Sequence, residues 1–378
     1  MGRKLTPPPE ALHNTVFTRQ EAIQAGLTPG QLRSHQYTRV APSIYCHRNT
    51  TPTPTAIARA YSRSRPRIVI TGIQAAQHYK LPLPHWIENP TTDPNTPTPR
   101  ISLWSRTWRR DHPGHHLEWN KRRLKPGDVT TLPDPEFPTH IHITTVERTW
   151  FDLANILDLE NMVITLDHII RIPNPKYENR EKPLSTPEKV AAFIDAHPHI
   201  PGIRIARKAL RLARIGADSP QETRLRLACR EAQLPEPAVN RWIQDHDGHP
   251  IVRPDLTWPE AKVACEYDGA IHTSAKKQVT DARRNALTAR LGWQQIIVTE
   301  KDMSPQERLG WLTRERLTAW NQLSKNKQRP MRPLGVRIGH YGIKLRVWQP
   351  ASMGLAPALA QSPVIRQIRK ALGYALAA

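Results

Sequence analysis

From Phe17 to Cys46 the spacing of apolar positions predicts two short helices and a ribbon, with Thr18 as an N-cap, Gly26 as a break and Thr28-Pro29 opening the second helix. The segment YTRVAPSIY (37–45) alternates as a small hairpin and completes a winged helix-turn-helix with Arg33, His35 and Arg39 facing outward. Strands are expected at 100–104 and 140–144, separated from the ribbon by a Thr/Pro-rich loop at 89–99. The pattern then turns helical at 188–197 and 202–215, after a segment at 172–187 whose proline and charge content reads as a linker. Helix 219–232, a strand-turn-strand unit at 251–272, helix 281–291 and strand 293–299 predict an α/β sandwich around a mixed sheet. Beyond Ser324 the apolar pattern fades, apart from a final helix near 364–376.

This reading divides the chain into a winged helix-turn-helix (1–50), a small α+β middle domain (51–171), the linker (172–187), a domain with two leading helices (188–323) and a basic, flexible tail (324–378). A length of 378 residues agrees with several cores rather than one.

Charge narrows the partner. The chain carries 55 Lys and Arg against 33 Asp and Glu, a net +22, which points to a polyanion, DNA first, unless the excess serves solubility alone. In helix 202–215, Arg204, Arg207, Lys208, Arg211 and Arg214 recur along one side opposite Ile203, Ala206, Leu210 and Ala213, a stripe suited to a DNA backbone or to water. Three separated cysteines suggest neither a disulfide framework nor a zinc site. No signal-peptide core and no run of membrane-spanning length is present, so a cytoplasmic protein without membrane association is expected. His140 and His142 share a strand face but have no third ligand at a suitable spacing. Trp108 and Trp119, set among Arg106, Arg109, Arg110 and Lys121, fit either base stacking or core packing beside a solvated loop.

The chemistry concentrates in IVRPDLTWPEAKVACEYDGAIH (251–272). Alternation puts Arg253 and Asp255 on one face of the first strand and Ala264, Glu266 and Asp268 on one face of the second, with the turn at Trp258-Pro259-Glu260. Carboxylates side by side repel and are poor strand formers, so a cation is expected among them. A hard divalent ion, Mg2+ with Mn2+ as a substitute, suits an oxygen donor set of Asp255, Glu266 and the Tyr267 carbonyl. His272, just beyond the strand, is placed to move a proton or touch a phosphate. No phosphate-cradling glycine loop accompanies them, which sets aside nucleotidyl transfer, and no small-molecule cofactor is expected.

Two resemblances follow. Ser219-Pro220-Gln221-Glu222, Pro254-Asp255, Glu266-Tyr267-Asp268-Gly269, His272, Asp281-Ala282-Arg283-Arg284 and Leu291-Gly292-Trp293 resemble very-short-patch-repair endonuclease-like domains over about 217–303. That resemblance implies a restriction-endonuclease-like fold of the PD-(D/E)xK type and magnesium-dependent hydrolysis of DNA, with Asp255 and Glu266 as its acidic positions and Asp268 standing where the parent pattern has lysine. Residues 17–45, 70–84 and 143–157 resemble the N-terminal half of AbiEi-type antitoxin-like proteins, with Ser43-Ile44 where that family usually has a glycine. This second resemblance implies a DNA-binding regulatory module.

Some residues admit two readings. Glu222 either closes a capping box with Ser219 or faces the metal site, and Arg284 either binds phosphate or pairs with Asp281. The whole chain is read as an endonuclease guided by a DNA-binding module, with a non-catalytic DNA-binding regulator built on a degenerate nuclease fold as the alternative.

Overall fold

The computed structural model describes residues 9–88, 100–105, 107, 117–120, 123–175, 178–268, 285–299, 302 and 362–373. The protein is α/β and forms two compact units, Met1–Leu157 with Pro183–Arg211, and Asp158–Lys182 with Leu212–Ala378. Among the described residues no helix is long and apolar enough to cross a membrane.

The first unit opens with β1 (Val16–Thr18), α1 (Arg19–Gln24), α2 (Pro29–Leu32), β2 (Tyr37–Ala41) and β3 (Ile44–His47), and its three strands form an antiparallel sheet in the order β1-β3-β2. Thr18 and Thr28 each accept the N–H three residues on, while Glu21 and Gln31 reach back, so both helices start on reciprocal capping boxes. The second helix is a single turn. Phe17, Ala22, Leu27, Leu32 and Tyr37 form the small core beneath. The expected hairpin turns through Ser43, which takes φ +63°, a left-handed conformation that glycine adopts without strain.

There follow α3 (Pro54–Ser64), β4 (Ile68–Ile70), α4 (Gly72–His78), α5 (His85–Glu88), β5 (Ile101–Ser105), β6 (Leu117–Asn120), β7 (Val129–Pro133), β8 (His140–Thr144) and α6 (Val146–Leu153). The strands make a mixed sheet in the order β6-β5-β4-β8-β7. Trp119 is buried against Tyr61, the core-packing alternative of its two readings, whereas Trp108 and the loop at 89–99 lie outside the described residues.

The chain then runs α7 (Leu159–Ile170), α8 (Pro187–Ala196) and α9 (Ile203–Leu212), and here the division departs from the sequence boundaries. Helix α7 belongs to the second unit rather than to a middle domain ending at 171, and α8 with most of α9 returns to the first unit rather than leading the nuclease region. For α7 the reason lies in paired side chains: Asp167 accepts from Arg226 and Thr223 of the helix at 220–231, and Glu160 pairs with Arg224. A helix-length apolar pattern does not say which core it covers.

The second unit continues with α10 (Pro220–Glu231), β9 (Ala238–Val239), β10 (Ile243–Gln244), β11 (Pro250–Val252), β12 (Leu256–Trp258), β13 (Val263–Asp268), a helical stretch at 285–290 and β14 (Gln294–Thr299). Its main sheet has the order β14-β13-β12-β9, with β13 and β14 parallel and the other pairs antiparallel. Gly292, at φ +79°, ends the helical stretch before β14. A last helix, α11 (Pro363–Ala371), places Val364, Ile365 and Ile368 in the same core as Leu225, Trp258 and Ile296. The final helix expected near 364–376 in the tail is thus found at 363–371 and is packed, because one side of that short helix is apolar.

Candidate functional site

The carboxylates of the second unit are gathered by three local structures. At the start of α10, Ser219 accepts the Glu222 N–H at 3.3 Å and Pro220 fills the first helical turn. The Glu222 carboxylate accepts the Asp218 N–H at 2.8 Å and the Asn240 side-chain amide at 2.7 Å. Glu222 is thus a helix-start residue whose side chain is also tied to the loop after β9. It is buried, and its acid is pushed up to about 7, first by burial and then by the charge of Asp255, against the pull of the Asp218, Ser219 and Asn240 hydrogen bonds. The helix-start reading is seen in the Ser219 contact, and the side chain also feels the charge of Asp255.

Asp255 sits at the break between β11 and β12, where Pro254 has no N–H to offer a ladder. Its backbone oxygen accepts the Asn240 N–H at 2.9 Å and its carboxylate accepts the Tyr267 N–H at 2.6 Å. The antiparallel register Leu256↔Cys265, carried one residue on, sets Asp255 opposite Glu266. Both acids act on the buried Cys265 thiol between them in sequence, which is raised by burial, then by Cys229, then by Asp255 and Glu266.

Burial along β13 falls from complete at Val263–Cys265 through half-buried Glu266 and Tyr267 to exposed Asp268. The three acids expected to converge from the two strands thus sit at different depths, and Glu222 feels the charge of Asp255. Arg253 donates from Nε to the Asn240 oxygen at 2.9 Å and lies 3.5 Å from Asp218. His272, Gly269, Asp281, Arg283 and Arg284 lie outside the described residues.

Asn240 and Asp218 were not singled out by sequence reasoning. Asn240 joins Glu222 to the Asp255 backbone, and its amide also donates to Gly216 at 2.8 Å. The only trace in the sequence is its type, since asparagine tolerates the left-handed φ of +48° found there.

Among the described residues, the one trio of acidic or histidine side chains whose donor atoms all lie within 4.8 Å of one another is Asp245, Asp247 and His249. It belongs to the tip between β10 and β11, where Asp245 accepts the N–H groups of Asp247 and His249, an ordinary turn arrangement. The basic residues expected at a DNA surface are exposed: Arg33 and Arg39 beside the three-stranded sheet, and Arg204, Arg207 and Arg211 on α9, whose Ala206 and Ala209 face inward.

No family model matches the chain, and no solved structure matches it. Two uncharacterized proteins of Mycobacterium tuberculosis, from strains CDC 1551 / Oshkosh and H37Rv, are each 31% identical to it over 103 residues, or 27% of this chain. The chain spans 38% of the length of these relatives, so they record a shared segment.

Proposed function

We propose that the second unit is a metal-dependent endodeoxyribonuclease of the PD-(D/E)xK type, with a restriction-endonuclease-like arrangement of helix, strands and crossing helix, and that basic surfaces of the first unit bind DNA. The observation that carries this reading is the buried Glu222 beside Asp255, its acid raised toward neutrality by burial and by that neighbouring charge. Like-charged groups held together by a fold, beside an inner strand that pairs antiparallel on one side and parallel on the other, favour a cation as their counterpart.

The donor chemistry fits magnesium: Asp255, Glu266 and the Tyr267 carbonyl are hard oxygen ligands, and Glu222 lies close enough to feel the Asp255 charge. When bound there, magnesium would supply Lewis acidity to a phosphate and to an attacking water. The chain's own contributions are positional. The Tyr267 N–H fixes the Asp255 carboxylate, Asn240 fixes Glu222, and Glu222, near neutrality in its protonation, can hold or release a proton as ligands arrive. The winged helix-turn-helix reading of residues 16–47 supplies the targeting surface through Arg33 and Arg39.

The second reading, a DNA-binding regulator without catalysis, is favoured by exposed Asp268 at the position where the resembled pattern carries lysine. Incubation of the purified protein with supercoiled plasmid, linear duplex and single strands, with and without magnesium or manganese, separates the two. Metal-dependent nicking that disappears in Asp255→Ala and Glu266→Ala establishes the enzyme. DNA retained without cleavage of any substrate transfers the assignment to the regulator.

A further inference from the structure

The first unit holds a cavity of about 520 Å3 that the nuclease reading leaves unused. One wall is a row of α1, where Arg19, Gln20, Ile23 and Gln24 recur at helical spacing, and the other is the end of α3 at Ser64 and Arg65. The buried side chains of Ile44, Tyr61 and Trp119 complete the lining, with the two rings edge to face at a centroid distance of 6.4 Å. Both walls are braced. The buried side chain of Arg63 joins α3 to Glu21 of α1 at 2.7 Å and to the Val16 oxygen at 2.8 Å. The Arg19 N–H donates to the Ser43 oxygen at 2.9 Å, which ties the start of α1 to the turn between β2 and β3. The cavity is therefore formed before any ligand arrives, as most small-molecule sites are.

The lining is chemically one-sided. No Asp or Glu belongs to it, and it carries two arginines, Arg19 and Arg65. Among the described residues neither pairs with a carboxylate, whereas Arg63 next to them is held by Glu21 and Asp134. Gln20 and Gln24 are exposed, and each amide offers both donors and an acceptor. The molecule that matches this lining is an anion for the arginines, with a flat apolar face for Ile44, Tyr61 and Trp119 and a hydrogen-bonding edge for the amides. A nucleobase carrying a phosphate has all three, and a two-ring base covers more of the apolar lining than a one-ring base. Cavities of ~300–1,000 Å3 take molecules of drug or cofactor size, and a double helix does not fit into one.

We propose that this cavity binds a free purine mononucleotide, with its phosphate at Arg19 and Arg65, its ring against Ile44, Tyr61 and Trp119, and its edge toward Gln20 and Gln24. The site is separate from the acids of the second unit and does not depend on the nuclease reading. Its occupant touches α1 and the β2–β3 turn on one side and α3 on the other, so binding adds contacts across that junction and stabilises the folded chain.

The test is isothermal titration calorimetry of the full-length protein at low ionic strength, with AMP and GMP as probes and adenosine and inorganic phosphate as their separate halves. At least one nucleotide should bind once per chain and raise the melting temperature, and each half should bind about 10-fold more weakly or less. Arg19→Ala and Arg65→Ala should each lower the affinity by up to roughly 5-fold, an effect that fades with added salt because both side chains are exposed. Ile23→Glu, which sets a carboxylate at the lip, and Ser64→Trp, which fills the space, should remove binding. Both residues are exposed, so these variants should melt as the parent does without nucleotide, and Ile23→Leu should bind as the parent does. Failure of both nucleotides to bind, or unchanged binding by Ser64→Trp, overturns the proposal. Inorganic phosphate bound as tightly as the nucleotide also overturns it, by showing a basic surface without a site for the base. Loss of duplex binding in Ile23→Glu, in a protein that ignores both nucleotides, gives this wall to DNA instead.

Discussion

Each unit buries a group of charged side chains, and the two groups are built differently. In the first unit Arg148, fully buried on α6, binds Asp128 at 2.7 Å and Asp152 at 3.0 Å, and His197 at the end of α8 lies 3.0 Å from the other Asp128 oxygen. Asp128 also accepts the Lys125 N–H at 2.9 Å, and the second His197 nitrogen lies 2.8 Å from the Phe193 oxygen. Opposite charges meet, and the arrangement pins α6, α8 and the start of β7 to one another. In the second unit Glu222 faces Asp255, and the donors that hold the Glu222 carboxylate, the Asp218 N–H and the Asn240 amide, are neutral. A fold gains rigidity from the first arrangement. The second sets like-charged groups side by side, and that contrast, rather than burial of charge as such, marks the candidate site.

The comparison is sharpest under deletion of one partner. Arg148→Met should cost roughly 3–5 kcal/mol, because it strands two buried carboxylates, and would appear as a lowered urea midpoint. A loss below about 1 kcal/mol would show that water reaches this cluster and that it is not the lock described here.

Asp255→Asn should do the opposite. Relief of repulsion against Glu222 should leave the metal-free melting temperature unchanged or raised, while metal-dependent cleavage falls on the order of 100-fold or more. Destabilisation comparable to that of Arg148→Met would place Asp255 among the structural charges.

Acidity gives the third test. Glu222 titrates in the folded state at about 7, above its ordinary 4.5, so between these values the folded chain holds a proton that the unfolded chain has released. Its contribution to metal-free stability therefore falls as pH rises through that window. Glu222→Gln should flatten this part of the stability profile, and in the native protein metal should bind more tightly as pH rises through 7, with proton release measurable by calorimetry in buffers of different ionisation enthalpy. A profile unchanged by Glu222→Gln would remove Glu222 from the site.

The smallest effect compares caps. Thr186 accepts the Lys189 N–H at the start of α8 and Ser219 accepts the Glu222 N–H at the start of α10, so alanine at either should cost about 1 kcal/mol. Only Ser219→Ala should also alter the pH dependence, since Ser219 helps hold Glu222. Identical pH profiles for both variants would separate the cap from the chemistry.

Much of the local structure was legible in the chain. Thr18, Thr28 and Ser219 announced helix starts, Gly292 a helix end, and the alternation at 37–45 a hairpin, because caps and pleats depend on residues a few positions apart. The capping sequence at Ser219 likewise pointed to Glu222, but not to its bond with Asp218 or its approach to Asp255, which depends on the loop after β9. The break at Arg253–Asp255 was hidden by an alternation that runs through it, although Pro254 was its visible cause.

By itself, then, the sequence determined the α/β class, the excess of positive charge and the acids near 255 and 266, all of which are properties of composition or of short-range periodicity. Tertiary structure alone decided that α7 packs with α10, that α11 completes the second core, and that Asn240 ties Glu222 to Asp255. These contacts join residues far apart in the chain, and a single sequence carries no periodic signal for which distant surfaces will meet; only burial and the matching of buried donors to acceptors select among them.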